Sequence, residues 1–408
     1  MRVIIVSQTY SYGNGQASFT IHLAESLAQH GHQVMVIAPS EQMKSYSTRQ
    51  NGVRVEKVAA LHLSILHPTM YVTPFPRYRI QQLFHEFQPD VVHIQDHYFL
   101  CNAAVNQARR MQIPLIGTNH FLPENLLPIF RKHPAIRHLF SIPLWKLMLS
   151  VFNKLDLAST PSRTAARILH GQKIRIPVRA ISNGVDTNRF HPDPATDRRG
   201  IRRTYNLSPD HTLFLYVGRL DGEKGLDTLL DAVSILPGDN FQLAIGGYGL
   251  YEPALRKQAQ ALGLEGRVVF IGFVEPEQLP ALYNSADIFV MPSPEELQSI
   301  ATLEAMACGK PILAANGRAL PELVEPGVNG HLFQPGQPED AARKMYQLME
   351  ECEKWSAMGL ASFERSQEHS LQNTITHYEE HYRMATEKIR VEKRNIAITN
   401  KVSEKSLQ

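Results

Sequence analysis

Short, uninterrupted apolar runs recur along most of the 408 residues, and between them lie segments whose apolar positions repeat at helical spacing. This alternation constrains the fold more than any other feature of the chain. A run such as Val3–Val6 keeps no side chain for water, as expected of a strand buried on both faces, and such strands belong to parallel sheets covered by helices. The run is followed by a glycine-containing loop (Tyr12-Gly13-Asn14-Gly15-Gln16). A helical stretch then spans about Ala17 to His30, with Phe19, Leu23 and Leu27 on one face and Gly31 at its end. Further strands are expected at Gln33–Ile37, Val91–Ile94, Pro114–Gly117, Leu157–Thr160 and Val178–Ser182. The pattern lapses into proline, aspartate and arginine around HPDPATDRRG and then restarts. Strands follow at Leu213–Val217, Gln242–Ile245, Val268–Ile271, Ile288–Met291 and Ile312–Ala314, with helices at Leu226–Leu236, Glu252–Leu262, Gln278–Ser285 and Ile300–Cys308. The repeated βαβ order implies two doubly wound α/β domains with parallel sheets. Expected boundaries are 1–190 for the first domain, 191–210 for a linker and 211–368 for the second. A helix at 369–386 and a loose charged tail at 387–408 complete the chain.

Composition narrows the function classes. With 43% hydrophobic and 20% charged residues the chain reads as globular, and a formal charge of +3 is too small to imply nucleic acid. The three cysteines, Cys101, Cys308 and Cys352, show no metal-ligand spacing and suit a reducing compartment. MRVIIVSQ reads as a first strand, not as a signal peptide, and no apolar stretch of about 18 residues is present to span a membrane.

In open α/β sheets ligands bind beyond the carboxyl ends of the strands, so chemistry is sought in the loops that follow them. One such loop lies in MPSPEELQSIATLEAMACGKPILAA, residues 291–315. Glu295 and Glu296 precede Ser299, which can cap a helix whose first free N–H groups suit a phosphate. Glu304 follows Glu296 by eight residues, and a carboxylate there can accept the two hydroxyls of a diol. A second lies in YVGRLDGEKGLDTLL, residues 216–230. Arg219 and Lys224 share one loop, and two cations there suit a diphosphate, whose charge otherwise needs a metal. No GxxxxGK[ST] is present, and no GxGxxG follows the first strand, which disfavours a nicotinamide enzyme.

The first of these motifs resembles the E-x7-E element of retaining glycosyltransferases of the GT-B fold, in particular the glycogen-synthase-like family GT4. The second resembles that family's GR-x4-K element. The resemblance extends from Met1 to about Ala385. It implies two Rossmann-like domains facing a central cleft, a nucleotide-sugar donor, and transfer with retention of configuration without a metal or other cofactor. It further implies catalytic roles for Glu296, Arg219, Lys224 and His120, the last at the end of IGTNHF. Donor contacts are implied for Gly13 and Gly15 after the first strand, Gly218, Gly247 in GGYG, Phe273 and Val274, and for Gln298, Ser299, Ile300 and Glu304. Asn183 and Gly184 resemble the N-G-V-D segment that closes the first domain, where Asp186 reads as structural. Tyr378–Met384 resembles the final helix that crosses back to the first domain. Gln298 and Ser299 depart from the family's aromatic-glycine pair, which weakens any transfer of donor specificity.

UDP-glucose is the favoured donor, with GDP-mannose next. Residues 131–154 combine basic residues with Phe140, Trp145, Leu149 and Phe152. This composition fits either an interfacial helix on an anionic membrane or an ordinary helix packing its own domain. With TNHFLPENL resembling enzymes that glycosylate diacylglycerol, the first option implies a lipid acceptor and a cytoplasmic protein peripheral on the inner membrane face. A soluble sugar, sugar phosphate or polysaccharide is the alternative acceptor. A nucleotide-sugar epimerase and a non-catalytic membrane- or partner-binding protein are the rival classes.

Overall fold

The structure, a computed structural model, describes residues 1–10, 15–62, 71–123 and 134–406. The chain divides into two compact units, Met1–Ile181 with Ile375–Gln408, and Ser182–Thr374.

In the first unit the strands are β1 (Arg2–Val6), β2 (Gln33–Pro39), β3 (Tyr46–Gln50), β4 (Val53–Val58), β5 (Leu61–His62), β6 (Tyr71–Val72), β7 (Val91–Ile94), β8 (Leu115–Thr118), β9 (Leu157–Thr160) and β10 (Val178–Ala180). Eight of them form one sheet in the order β10-β9-β8-β7-β1-β2-β4-β3, and β5 pairs with β6 alone. Val3–Val6 are fully buried, and β1 pairs in parallel with β2 on one side and β7 on the other. The edge strand β3 runs antiparallel to β4. Its sequence, YSTRQ, is largely solvent-facing, so the signal of a doubly covered strand is missing there. Helices α1 (Gly15–Gln29), α2 (Arg77–Phe87), α3 (Phe99–Arg110), α4 (Pro134–Phe152) and α5 (Arg163–Gly171) are the connections.

The second unit holds β11 (Thr212–Val217), β12 (Phe241–Gly246), β13 (Val268–Gly272), β14 (Ile288–Met291), β15 (Ile312–Ala315) and β16 (Gly330–Phe333), in the order β13-β12-β11-β14-β15-β16. All neighbours are parallel. Numbered within the unit, the order is 3-2-1-4-5-6, and its direction reverses between β11 and β14, where a doubly wound sheet opens a crevice for a ligand. Its helices are α6 (Arg198–Thr204), α7 (Leu226–Ile235), α8 (Glu252–Ala261), α9 (Leu279–Ser285), α10 (Ile300–Ala307), α11 (Leu320–Leu323), α12 (Pro338–Glu350) and α13 (Trp355–Glu368). A final helix, α14 (Leu371–Ser406), belongs to the first unit from Ile375 onward.

Two expectations need correction. Residues 191–210 are not a free linker. Arg202 in α6 is 3% exposed and donates to the carbonyls of Ser285, Pro209 and His211 and to the Asp287 carboxylate. A buried guanidinium needs its donors satisfied, and this one is, by the body of the unit. The charged segment from 387 continues α14 to Ser406 where a loose tail was expected. No helix among the described residues is long and apolar enough to cross a membrane.

Candidate active site

Loops after β11, β12, β13 and β14 converge in the second unit. The first three are laced together by backbone: the N–H of Gly218 donates to Gly246, that of Leu220 to Tyr248, that of Gly247 to Gly272, and that of Tyr251 to Leu220. The buried Tyr216 hydroxyl donates to the Arg219 carbonyl at 2.8 Å, holding the start of the loop. Lys224 closes a short 3-10 turn (Gly222–Lys224). The next residue, Gly225, lies so close to the β14 loop that a Cβ would sit 2.5 Å from the Pro292 carbonyl oxygen. That close approach brings Lys224 Nζ to 2.7 Å from Glu296 Oε1. Both sequence motifs therefore meet at the switch point of the sheet.

Arg219 contacts Asp221 and donates to Glu223 at 2.8 Å. Burial works against its charge, but the Asp221, Glu223 and Glu296 carboxylates outweigh that and raise its pKa above the usual value. Two cations thus stand among three carboxylates, Asp221, Glu223 and Glu296. Nothing in the sequence motif marked Asp221 or Glu223 as the partners of Arg219.

Ser299 caps α10, its hydroxyl accepting from Thr302 N at 3.1 Å, and Ile300 opens the helix. Glu304 lies one turn on, within hydrogen-bond range of the Tyr283 hydroxyl at 2.8 Å. Burial raises its carboxyl pKa to about 7, against the lowering effect of Tyr283 and the Arg189 charge. An acid whose pKa is higher in the folded state binds more protons folded than unfolded between its two pKa values. Folding stability therefore falls as pH rises from 4.5 to about 7. Glu304→Gln is accordingly expected to be more stable than the parent by about 3 kcal/mol at pH 8, with the difference vanishing toward pH 4.5. Denaturant midpoints across that range measure it.

Gln298, for which a donor contact is expected, has its side chain engaged within the unit. Its side chain is occupied by the segment that opens the unit: Asn183 N donates to Oε1 at 2.7 Å, and Nε2 donates to Ser182 Oγ at 3.1 Å. Gln298 is 9% exposed and Asn183 7%. Gln298→Ala leaves the Asn183 N–H buried without its acceptor, and a loss of about 2 kcal/mol in unfolding free energy is expected, read from denaturant midpoints. The Asp186 carboxylate accepts from the N–H of Asn188 and Arg189 and so closes the turn that follows it. Phe273 is 53% exposed beside Tyr248, with ring centroids 5.6 Å apart, whereas Val274 is buried.

In the first unit Gly13 lies outside the described residues, and Gly15 opens α1. Asp96, missed from the sequence, ties the loop after β7 to the loop after β1. Its carboxylate accepts from Gln8 N at 2.6 Å and from Tyr98 N at 3.0 Å, and burial raises its pKa. His120 follows β8 and hydrogen-bonds Gln95 Oε1 through Nε2 at 2.7 Å. Desolvation pushes its pKa down to about 3, so at neutral pH it is a neutral hydrogen-bonding group. Among the described residues no cluster of three or more His, Cys, Asp or Glu side chains is arranged to hold a metal ion.

Two Rossmann-like sheets, one with basic and acidic motif residues gathered at its switch point, are the architecture of GT-B glycosyltransferases. Comparison with known proteins agrees: residues 13–189 match the family described as Glycosyltransferase Family 4, and residues 197–365 match Glycosyl transferases group 1. The chain belongs to the GT4 glycosyltransferases. It is 28% identical over 317 residues to the sulfoquinovosyl transferase of Arabidopsis thaliana, covering 76% of this chain and 58% of that protein. It is 26% identical over 252 residues to the alpha-monoglucosyldiacylglycerol synthase of Streptococcus pneumoniae, covering 61% of this chain and 56% of that protein. The chain thus spans little more than half the length of either relative. The crystal structure of Anabaena HepE in complex with UDP-glucose superposes with a TM-score of 0.75 at 22% identity, covering 93% of this chain and 98% of that one.

Proposed function

We propose that this glycosyltransferase moves a hexose, glucose first, from a uridine-diphosphate donor to a membrane lipid such as diacylglycerol, with retention of configuration and without a bound metal. The observation that carries the donor half is the meeting of Arg219, Lys224, Glu296 and the capped start of α10 at one switch point. A diphosphate there is neutralised by Arg219, Lys224 and the free N–H groups of α10, which supply the charge compensation a metal gives elsewhere. In front-face transfer the acceptor attacks the side from which the diphosphate departs, and the departing oxygen takes the acceptor's proton. The same three groups stabilise the negative charge developing on that oxygen. Glu296 orients sugar hydroxyls, and Glu304, a partly buried carboxyl one turn into α10, receives the ribose diol. Arg219 must exchange Asp221 and Glu223 for phosphate oxygens, so both acids are expected to weaken donor affinity. The Anabaena protein was solved with UDP-glucose, which supports the choice of donor.

For the acceptor, α4 supplies the supporting observation. Trp145 and Phe152 are buried at 4% and 0% exposure, so they cannot meet a membrane. The outward side instead presents Leu139, Phe140, Ile142 and Leu147, at 64%, 51%, 39% and 53% exposure, with Lys146 among them. Apolar residues beside a lysine on one side of a helix suit the boundary of an anionic bilayer. Residues 124–133, part of the segment read as lipid-like, lie outside the described residues. The pneumococcal relative, named for a glucosyldiacylglycerol product, supports the same acceptor class.

The test is a donor screen with UDP-, GDP- and ADP-sugars, with and without diacylglycerol liposomes, following nucleotide release. Release that needs one donor and the liposomes, and that is lost in Glu296→Ala, is the expected result. Release stimulated by soluble sugars but indifferent to lipid overturns the acceptor, and absence of both release and donor binding overturns the enzyme reading.

A further inference from the structure

Beneath His120 the first unit buries an unusual density of polar side chains. His93 in β7, Gln95 just after it, Thr118 in β8, Ser159 in β9, and Tyr378 and Tyr382 on α14 are all fully buried. None is left alone. His120 Nε2 lies 2.7 Å from Gln95 Oε1, and Gln95 Nε2 lies 3.2 Å from His93 Nε2. His93 Nδ1 is 2.9 Å from the Tyr382 hydroxyl. Thr118 Oγ1 approaches His93 Nε2 at 2.7 Å and is itself 2.7 Å from Ser159 Oγ and 3.1 Å from the Tyr378 hydroxyl. Burial keeps His93 neutral, its pKa well below the usual value.

The chemistry of these groups makes the chain directional. A neutral imidazole donates from one nitrogen and accepts at the other, and an amide donates at one end and accepts at the other. With its oxygen toward His120, Gln95 receives the His120 Nε2 proton. Its NH2 then donates to His93 Nε2, where the Thr118 hydroxyl is the second donor. The His93 proton consequently sits on Nδ1 and is donated to Tyr382. Turning the amide over reverses each of these protons and keeps the coupling. His120 packs its ring against Phe19 at 4.8 Å between centroids, and with Nε2 protonated its Nδ1 is the accepting nitrogen.

We propose that Gln95, His93 and Tyr382 are positioning residues that set the tautomer and ring orientation of His120, making α14 part of the reaction machinery of the first unit. The catalytic consequence rests on the reading above, in which His120 meets the transferred sugar or its acceptor. The tautomer itself does not.

The experiment uses the full chain labelled with 15N-histidine, with the His120 resonances assigned by their loss in His120→Gln. The parent is expected to show a single His120 tautomer protonated at Nε2. Tyr382→Phe, which removes one oxygen, and Gln95→Met, which removes the amide at similar length, are each expected to shift the His120 15N resonances toward a mixture of tautomers. Each is also expected to lower kcat about tenfold while leaving the donor KM unchanged, a split that general loosening of the fold would not produce. Unchanged His120 resonances in both folded variants overturn the proposal. Shifted resonances with unchanged kcat confirm the coupling and instead overturn the role of His120 in transfer.

Discussion

Lys224→Ala is expected to lower kcat by about two to three orders of magnitude, the range found when one preorganised donor to a developing oxyanion is removed. On the proposed function the side chain is held ready for that task. Its ammonium lies 2.7 Å from Glu296 and 3.7 Å from Glu223, and only 16% of the side chain meets solvent. A flexible lysine on an open loop would have to be ordered on binding, whereas this one is already fixed by the 3-10 turn and by the close approach of Gly225 to Pro292. Two effects accompany the substitution. Glu296 loses its partner inside a half-closed site, at a cost of about 2 kcal/mol in stability, and the carboxylate proposed to orient the sugar is no longer held in place. The kinetic effects of Lys224→Ala and Glu296→Ala are therefore expected to be far from additive, the double variant being little worse than the poorer single one. Steady-state kinetics of the three variants, well below their melting temperatures, measure this. An additive cycle would mean that the two side chains act separately in transfer.

Gly247→Ala should be the most destabilising of the conservative changes in the donor-side loops. The residue has φ of +128°, and a Cβ would stand 1.9 Å from the Gly218 carbonyl oxygen. Neither backbone can give way easily, since Gly247 N donates to Gly272 O at 2.7 Å and Gly218 N to Gly246 O at 3.0 Å. A loss of about 3 kcal/mol or more is expected, from the strained backbone and the collision together. Gly263 supplies the control. Its φ is +64°, yet nothing lies within 4 Å of where a Cβ would be, so Gly263→Ala should cost only about 1 kcal/mol. Denaturant midpoints at constant slope measure both. Equal losses would show that Gly247 is required for its backbone angle alone and not for the approach of the two loops. Because the Gly218 loop leads directly into Arg219, donor affinity should fall with Gly247→Ala and not with Gly263→Ala.

The strands were legible for a simple reason. A strand covered on both faces offers nothing to water and is mostly apolar, so Val91–Ile94, Leu157–Thr160 and Ile288–Met291 could be bounded from the chain alone despite His93, Ser159 and Thr160, and the structure places them at the same residues. Strands outside that rule were missed. Tyr46–Gln50 is an exposed antiparallel edge, and Gly330–Phe333 is four residues long with a glycine and a histidine in it. The linker was misread because HPDPATDRRG is polar. Polarity is a local property, whereas the burial of Arg202 depends on the Ser285 carbonyl and the Asp287 carboxylate, both more than 80 residues away. For α4 the sequence shows which residues are apolar but not which side meets the sheet. Trp145 and Phe152 went inward and Leu139, Ile142 and Leu147 outward.

The sequence by itself determined the two α/β units and the loops that carry Arg219, Lys224, Glu296 and Ser299. Both follow from hydrophobic periodicity and from residue types at short spacing, which are properties of contiguous chain. Tertiary structure alone decided which polar group meets which. Strand order 3-2-1-4-5-6 sets the loops of β11 and β14 side by side and so pairs Lys224 with Glu296, 72 residues apart. The same kind of choice commits Gln298 to Ser182 and Asn183 and joins His93 to Tyr382, 289 residues further on. Hydrogen bonds and ion pairs act over about 3 Å and carry no trace of sequence separation, so their partners emerge only when burial has packed the sheets.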